Sequence, residues 1–389
     1  MAQQRMVVVG GGVMGLATGC ALAAQPDSDV TVLERFQVGH DWASSHGLTR
    51  AIRHEYGDAA IYTDMVARSL PLWADLARET GRTLYTETGV LTLGHTNDGH
   101  TLPGLEVMRA RGLPAEWLTT DECRARFPQF RPDEYDAITW NPSGGMLHAS
   151  ECLAALAQRL RARGGILREG ARVTRVEPDG DGGRVTLADG SQISADRVIV
   201  TAGPWAHDVL PGMNLPMRPT RQQVCYFGDL PHPEMFAPER FPVFLVGVNG
   251  AHGADQYYGF PLQGPNWFKV GLHTFGETAD PNAGYEPDDA QVEAVRDFLL
   301  RVIPDAAEGR LALVDRCMYD VSPDEDFILD THPGGAGVII GSGFSGHGFK
   351  FGVLIGELLA ALACGAEPSV PMERFRLSRF SASDNVSHT

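Results

Sequence analysis

Three stretches of the chain concentrate residues that can do chemistry on a small charged ligand. SSHGLTRAIRHEYG, residues 44–57, brings His46, Arg50, Arg53 and His54 close together in an otherwise acidic protein. Positive charge of this density suits a carboxylate or phosphate, and arginine grips a carboxylate through two parallel hydrogen bonds. A basic loop in water, paired with surface acids, has the same composition. NWFKVGLHTFG, residues 266–276, reads as a strand. Alternation puts Trp267, Lys269, Gly271 and His273 on one face and Phe268, Val270 and Leu272 on the other. A lysine and a histidine there are costly to bury unless partnered or used; an edge strand with Lys269 in water is the other reading. GSGFSGHGFKF, residues 341–351, is a glycine-rich turn with Lys350 near its end. It either places backbone N–H groups and a cation against a ligand or simply joins a strand to a helix. Cys317, in RCMYD, stands late in a strand and by itself reads as an inert buried thiol. No Ser-His-Asp spacing is legible, Ser345 is not in a G-x-S-x-G elbow, and the carboxylates of PDEDF read as a solvated loop.

The elements that position these residues begin at the first strand. Val7, Val8 and Val9 are followed by Gly10, Gly12 and Gly15 in a G-x-G-x-x-G array, and then by a helix over Met14–Ala24. The glycines give a tight turn, close approach of the backbone to a pyrophosphate and close packing of helix on strand. The helix N-terminus adds unpaired N–H donors and a positive dipole end. A second strand, Val30–Leu33, delivers Glu34, an acid placed to bond a ribose hydroxyl. This unit predicts a dinucleotide with an unphosphorylated ribose, FAD or NAD, and does not choose between them.

Composition narrows the partners. The chain has 389 residues, 43% hydrophobic and 21% charged, and a net charge of −17. Length and composition suit a globular protein of two or three domains. The acidity argues against nucleic acid or an anionic membrane surface, both of which need a positive face. Six scattered cysteines without a C-x-x-C pair fit reduced thiols rather than a disulfide framework or a zinc site. No apolar run approaches the roughly 20 residues of a membrane span, and the N-terminal apolar stretch reads as the nucleotide motif rather than a signal peptide. A cytoplasmic protein with no metal is the expectation.

Downstream, the periodicity predicts helices over 62–80, 105–111, 120–127, 151–163, 287–303 and 351–363. Strands are expected at 90–93, near Ile166, at 173–176, 184–187, 191–193, 197–202, 311–319 and 337–340, with a hairpin turn at 180–183. Residues 217–274 read as strand-rich, and the polar tail beyond Leu377 as frayed.

Taken together, GGGVMG, SSHG-x-TR-x-IRH-x-YG, YYGFP, K-x-G-x-HTFG, CMY with D-x-DFI-x-D-x-HP, and GFSGHGFKF resemble the D-amino acid oxidase superfamily, most closely its monomeric sarcosine oxidase branch. The resemblance implies an α/β fold with an α+β second domain. A Rossmann-like FAD-binding domain of the glutathione-reductase type would comprise 1–90, 145–215 and 315–389. An interleaved antiparallel-sheet substrate domain would comprise 91–144 and 216–314. It implies FAD joined covalently through its 8α-methyl to Cys317, with Gly10, Gly12, Gly15, Glu34, Val173 and Gly346 around the cofactor. His46, Arg50 and Lys269 would line the flavin ring, Lys269 as the oxygen-activating cation. Arg53 and Lys350 would hold the substrate carboxylate, and Tyr258, His273 and Tyr319 would line its amine. The implied reaction, in a monomer, is oxidation of sarcosine or another N-methyl amino acid to the imine, which hydrolyses to amino acid and formaldehyde while O2 becomes H2O2. A bulkier or cyclic secondary amine (N-methyltryptophan, pipecolate, proline, a glycated amino acid) and a quinone-linked dehydrogenase of the same fold are the alternatives. Leu48 replaces an acid common at that position, and PLQGPNW, residues 261–267, departs from the usual glycine-rich version beside the pocket.

Overall fold

Val7, Val8 and Val9 have no polar side chain to offer water, and the strand that holds them, Gln4–Val9, is buried on both faces. It lies inside a six-stranded sheet ordered Ile328–His332, Gly335–Ser342, Arg197–Val200, Gln4–Val9, Ser28–Leu33, Ile166–Arg168. All neighbours run parallel except the first pair. The computed structural model describes residues 3–247 and 256–380. Period-two alternation sorts the strand's side chains: Met6 and Val8 face helices Val13–Leu22, Ala60–Thr80, Ala149–Ala162 and Gly352–Cys364, whereas Val7 and Val9 face a three-stranded sheet, 173–195.

A second, eight-stranded sheet carries the rest of the chemistry. Its order is Arg310–Val321, Arg218–Gly228, Trp267–His273, Gln256–Gln263, Val243–Gly247, Val90–Gly94, Ala137–Asn141, Glu116–Leu118. It is antiparallel except where Val243–Gly247 meets Val90–Gly94. One face packs phenylalanines, among them Phe244 and Phe268, against the helix Asp289–Val302. The other face is left for the clefts described below.

The expected elements form, with ends shifted by a few residues, and the GDGG turn does join two antiparallel strands. The eight-stranded sheet extends past the boundary expected at residue 315. Strand Arg310–Val321 pairs with Arg218–Gly228 along its whole length, so RCMYD is ladder-bonded to the second sheet. A small sheet of Thr49–Ile52, Gly145–His148 and Tyr85–Glu87 joins the two halves. Residues 381–389 of the polar tail, and 248–255 within the strand-rich section, lie outside the described residues.

Candidate active site

The glycine array forms the turn that the sequence demands. At Gly15 a Cβ would lie 1.8 Å from the Gly10 carbonyl oxygen, so no other residue lets the helix start this close to the strand. The helix is capped from outside its own sequence, since the Val13 N–H donates to Ser45 Oγ at 3.0 Å. Glu34, at the end of the second strand, is 6% exposed and accepts from the Gly11 and Phe36 N–H groups, each at 2.8 Å. Burial alone would raise its pKa, but His40 and those two amides together hold it below the usual carboxylate value.

This helix end opens on a cavity of about 360 Å³ that runs from Glu34, Arg35 and Trp205, past Val173 and the glycine turn, to Arg50 and Cys317. Ser44 lines it with a buried hydroxyl that has no hydrogen-bond partner. A second cavity of about 90 Å³ holds His46, Arg53, Tyr258, Lys269, His273 and Lys350. The two share one wall, made of Arg50, Cys317, Tyr319, Gly346 and Phe349. Every site residue singled out from the sequence except Gly15, which serves packing, and His54, which is corrected below, thus borders one cavity or both. At Gly346, φ is +75° and a Cβ would meet the Tyr319 ring at 2.4 Å, so glycine there lets that ring into the wall.

The strand Trp267–His273 alternates as its sequence requires. Phe268 and Val270 enter the apolar core, while Lys269 and His273 face the smaller cavity. Lys269 is 2% exposed, which removes the edge-strand reading, and its Nζ donates to the Thr49 carbonyl at 2.9 Å. Burial, followed by the nearby Arg50 charge, pulls its amine down to about 7. His273 is drawn down to about 4 by burial and by Arg53 and Lys350, so it is a neutral imidazole at ordinary pH; its Nδ1 lies 3.4 Å from the Tyr319 hydroxyl. Tyr258 and Tyr319 are hydrogen-bonded to each other.

At the far side of the pocket, Lys350 Nζ donates to the Tyr56 hydroxyl at 2.7 Å and to the His347 carbonyl at 2.8 Å. Burial, with Arg53 adding to it, holds its amine well below the usual lysine value. Trp73, on the long helix, fixes this turn by donating Nε1–H to the Lys350 carbonyl. Arg53 stacks on the Tyr56 ring at 4.5 Å, and its Nη1 is buried with no partner. A buried guanidinium nitrogen left open beside a second cation suits a carboxylate, and the buried Glu55 carboxyl is close enough to act on both cations.

Two sequence expectations are corrected. His54 does not join the cationic cluster: it is 1% exposed, burial takes its pKa down to about 4, and it packs beside Asn141. The PDEDF segment is not merely solvated, because Asp326 is buried and accepts from Tyr62 at 2.6 Å and from Arg374 at 2.7 Å. Sequence reasoning also missed Ser45, Tyr56, Asp315 and Asn282. Ser45 and Tyr56 stand in the SSHG-x-TR-x-IRH-x-YG motif, and Asp315 stands two residues before Cys317 and so on the same strand face.

The sequence matches the family described as FAD dependent oxidoreductase over residues 5–362. The chain belongs to that family. It is 35% identical to a monomeric sarcosine oxidase of Bacillus sp., over 99% of this chain and 98% of that protein. It is 33% identical to an N-methyl-L-tryptophan oxidase of Yersinia pestis, over 96% of this chain and 99% of that one. Among solved structures, NikD, an unusual amino acid oxidase in its open form, superposes with a TM-score of 0.82 at 26% identity, covering 97% of this chain and 98% of that one. The larger cavity fits FAD: the glycine turn leaves room for a pyrophosphate, Glu34 suits a ribose, and the orphaned Ser44 hydroxyl awaits a polar partner.

Proposed function

We propose that this FAD-dependent amine oxidase oxidises a small N-methyl amino acid, sarcosine first, to the imine, which water then splits into amino acid and formaldehyde as O2 is reduced to H2O2. The observation that carries this reading is the unpartnered Nη1 of Arg53 beside Lys350 in a cavity of about 90 Å³. When bound, FAD supplies the two-electron acceptor, a step no side chain can perform.

The protein residues do the rest. Arg53 and Lys350 bind the carboxylate and so fix which carbon faces the shared wall. His273, neutral, and the Tyr258–Tyr319 pair surround the amine with groups that do not demand its protonation, which keeps the lone pair free. Lys269 puts a positive charge where O2 takes up its first electron, lowering that barrier electrostatically. Cys317, partly exposed at the junction of the two cavities, is the thiol placed to tether the cofactor.

The test is peroxide release by the purified yellow protein in air. Sarcosine is expected to turn over with kcat/KM at least tenfold above N-methyltryptophan; the reverse order assigns the pocket to bulky amines, and silence with both in the presence of a working quinone acceptor overturns the oxidase reading. In Cys317→Ser, flavin is expected to be released by acid precipitation, whereas the parent protein keeps it in the pellet. Flavin retained by the variant would move the tether elsewhere.

A further inference from the structure

Strand Arg310–Val321 turns alternate side chains to the clefts, so Asp315, Cys317 and Tyr319 line the smaller cavity together. Cys317 and Tyr319 have roles above; Asp315 has none. Its carboxylate lies 3.0 Å from His46 Nε2. The His46 carbonyl accepts from Arg50, whose Nη1 donates to the Thr49 carbonyl, and that same oxygen accepts from Lys269 Nζ. One carboxylate and one ammonium are therefore anchored to the same short loop.

The surroundings of Lys269 make the carboxylate matter. Its cross-strand neighbours are Tyr226 and Phe260, whose rings lie 5.9 and 4.9 Å from Nζ and carry no net charge. Of the ionisable groups that act on it, Arg50 opposes its charge, while Cys317 and Asp315 favour it. A thioether to the cofactor would leave Cys317 nothing to ionise. Among the described residues that act on Lys269, Asp315 would then be the remaining anion. It is suited to the part: burial works against its charge, but the His46 bond and the charges of His46 and Lys269 hold its carboxyl below the usual value.

We propose that Asp315 is a positioning residue for the oxygen half-reaction: partnered by His46, its carboxylate holds Lys269 in the ammonium form beside the flavin cavity. The proposal rests on the reading of Lys269 as the oxygen-side cation.

Lysine occurs at only two positions in the sequence, 269 and 350. Holoenzyme grown on ε-13C-lysine therefore gives two side-chain resonances, which Lys269→Met assigns. In Asp315→Asn the Lys269 titration midpoint is expected to fall by about one pH unit. The high-pH limb of flavin reoxidation by O2, followed after anaerobic reduction, should fall with it, so that reoxidation at pH 8 is about tenfold slower. The pH profile of anaerobic reduction by substrate stays in place, which a merely structural defect would not arrange, and Asp315→Glu restores both readouts. Asp315→Ser must reproduce the shift if the amide variant folds poorly. An unmoved Lys269 midpoint in both variants overturns the proposal, whatever the rates do. A moved midpoint with an unmoved reoxidation limb ends the reading of Lys269 and the proposal with it, and a Lys269→Met enzyme that reoxidises at the parent rate identifies that failure independently.

Discussion

The two cavities share a wall but are made of different material. The larger is shaped by backbone: a glycine turn, a helix end and Glu34, all within the first tenth of the chain. The smaller is shaped by charge, with Arg53, Lys269 and Lys350 delivered, beside the neutral His273, from three separate segments spanning residues 53 to 350. A site of the first kind fails when volume is added. A site of the second kind fails when charge is removed. The two kinds of variant should therefore leave different signatures in flavin content, stability and kinetics.

Gly15→Ala is expected to have the largest effect. The added methyl meets a backbone oxygen at 1.8 Å, which cannot step aside without moving the strand or the helix. Overpacking of this kind costs about 1–3 kcal/mol or more, so the variant should melt lower even without cofactor and purify nearly colourless. Gly12→Ala is the control, since its methyl meets only Ser45 Oγ, at 3.1 Å. It should keep the apoprotein melting temperature and lose flavin alone. If both variants melt alike, the glycines do not divide into one for packing and one for the pyrophosphate.

Arg53→Met tests the opposite kind of site. Removing one partner of a buried charge pair costs about 2–5 kcal/mol, so kcat/KM should drop by roughly 30-fold to several thousandfold while flavin absorbance and melting temperature hold. A loss of flavin instead would place Arg53 among the groups that shape the larger cavity. A smaller effect concerns Lys350. Its amine is depressed in the free site by burial and by Arg53, and an entering carboxylate restores its preference for the proton. Binding of a non-oxidisable carboxylate such as acetate should therefore take up a fraction of a proton at pH 8, seen as a buffer-dependent enthalpy in calorimetry. Proton release, or none, would mean that Lys350 is already charged before the ligand arrives.

The same contrast explains what could be read in advance. The nucleotide unit was legible because its glycines, strand and acid are neighbours in sequence and each geometric demand falls on a nearby residue. The alternation of residues 267–273 was legible for the same reason, since Phe268 and Val270 against Lys269 is a local pattern. His54 was misread because burial decides its state, and its neighbour Asn141 arrives on a strand far away in sequence. Asp326 was misread because Tyr62 and Arg374, far away on both sides in sequence, bury and pair it. The strands Thr49–Ile52, Tyr85–Glu87 and Gly145–His148 are three or four residues long, too short for a period to show, and exist only through pairing with one another.

Asn282 shows how far such non-local dependence reaches, because it binds the mouth of the backbone-built cavity from the opposite half of the molecule. It follows the strand Trp267–His273 of the eight-stranded sheet, yet its Oδ1 accepts from Arg35 Nη1 at 2.9 Å and from Trp205 Nε1 at 3.0 Å, and its Nδ2 donates to Asp208 at 3.4 Å. Arg35, Trp205 and Asp208 all line the larger cavity near Glu34. One exposed side chain thus ties together residues on both flanks of that mouth. Exposed hydrogen bonds contribute about 0.5–1.5 kcal/mol each, and three shared by one amide are not additive. Asn282→Ala should accordingly speed FAD loss only about three- to tenfold, measured in a Cys317→Ser background so that no tether masks the escape. The substrate's kcat/KM should not change, because Arg53, Lys269, His273 and Lys350 make no bond to this residue. A change in kcat/KM with FAD loss unaltered would show that the two cavities are coupled through the eight-stranded sheet rather than only through their shared wall.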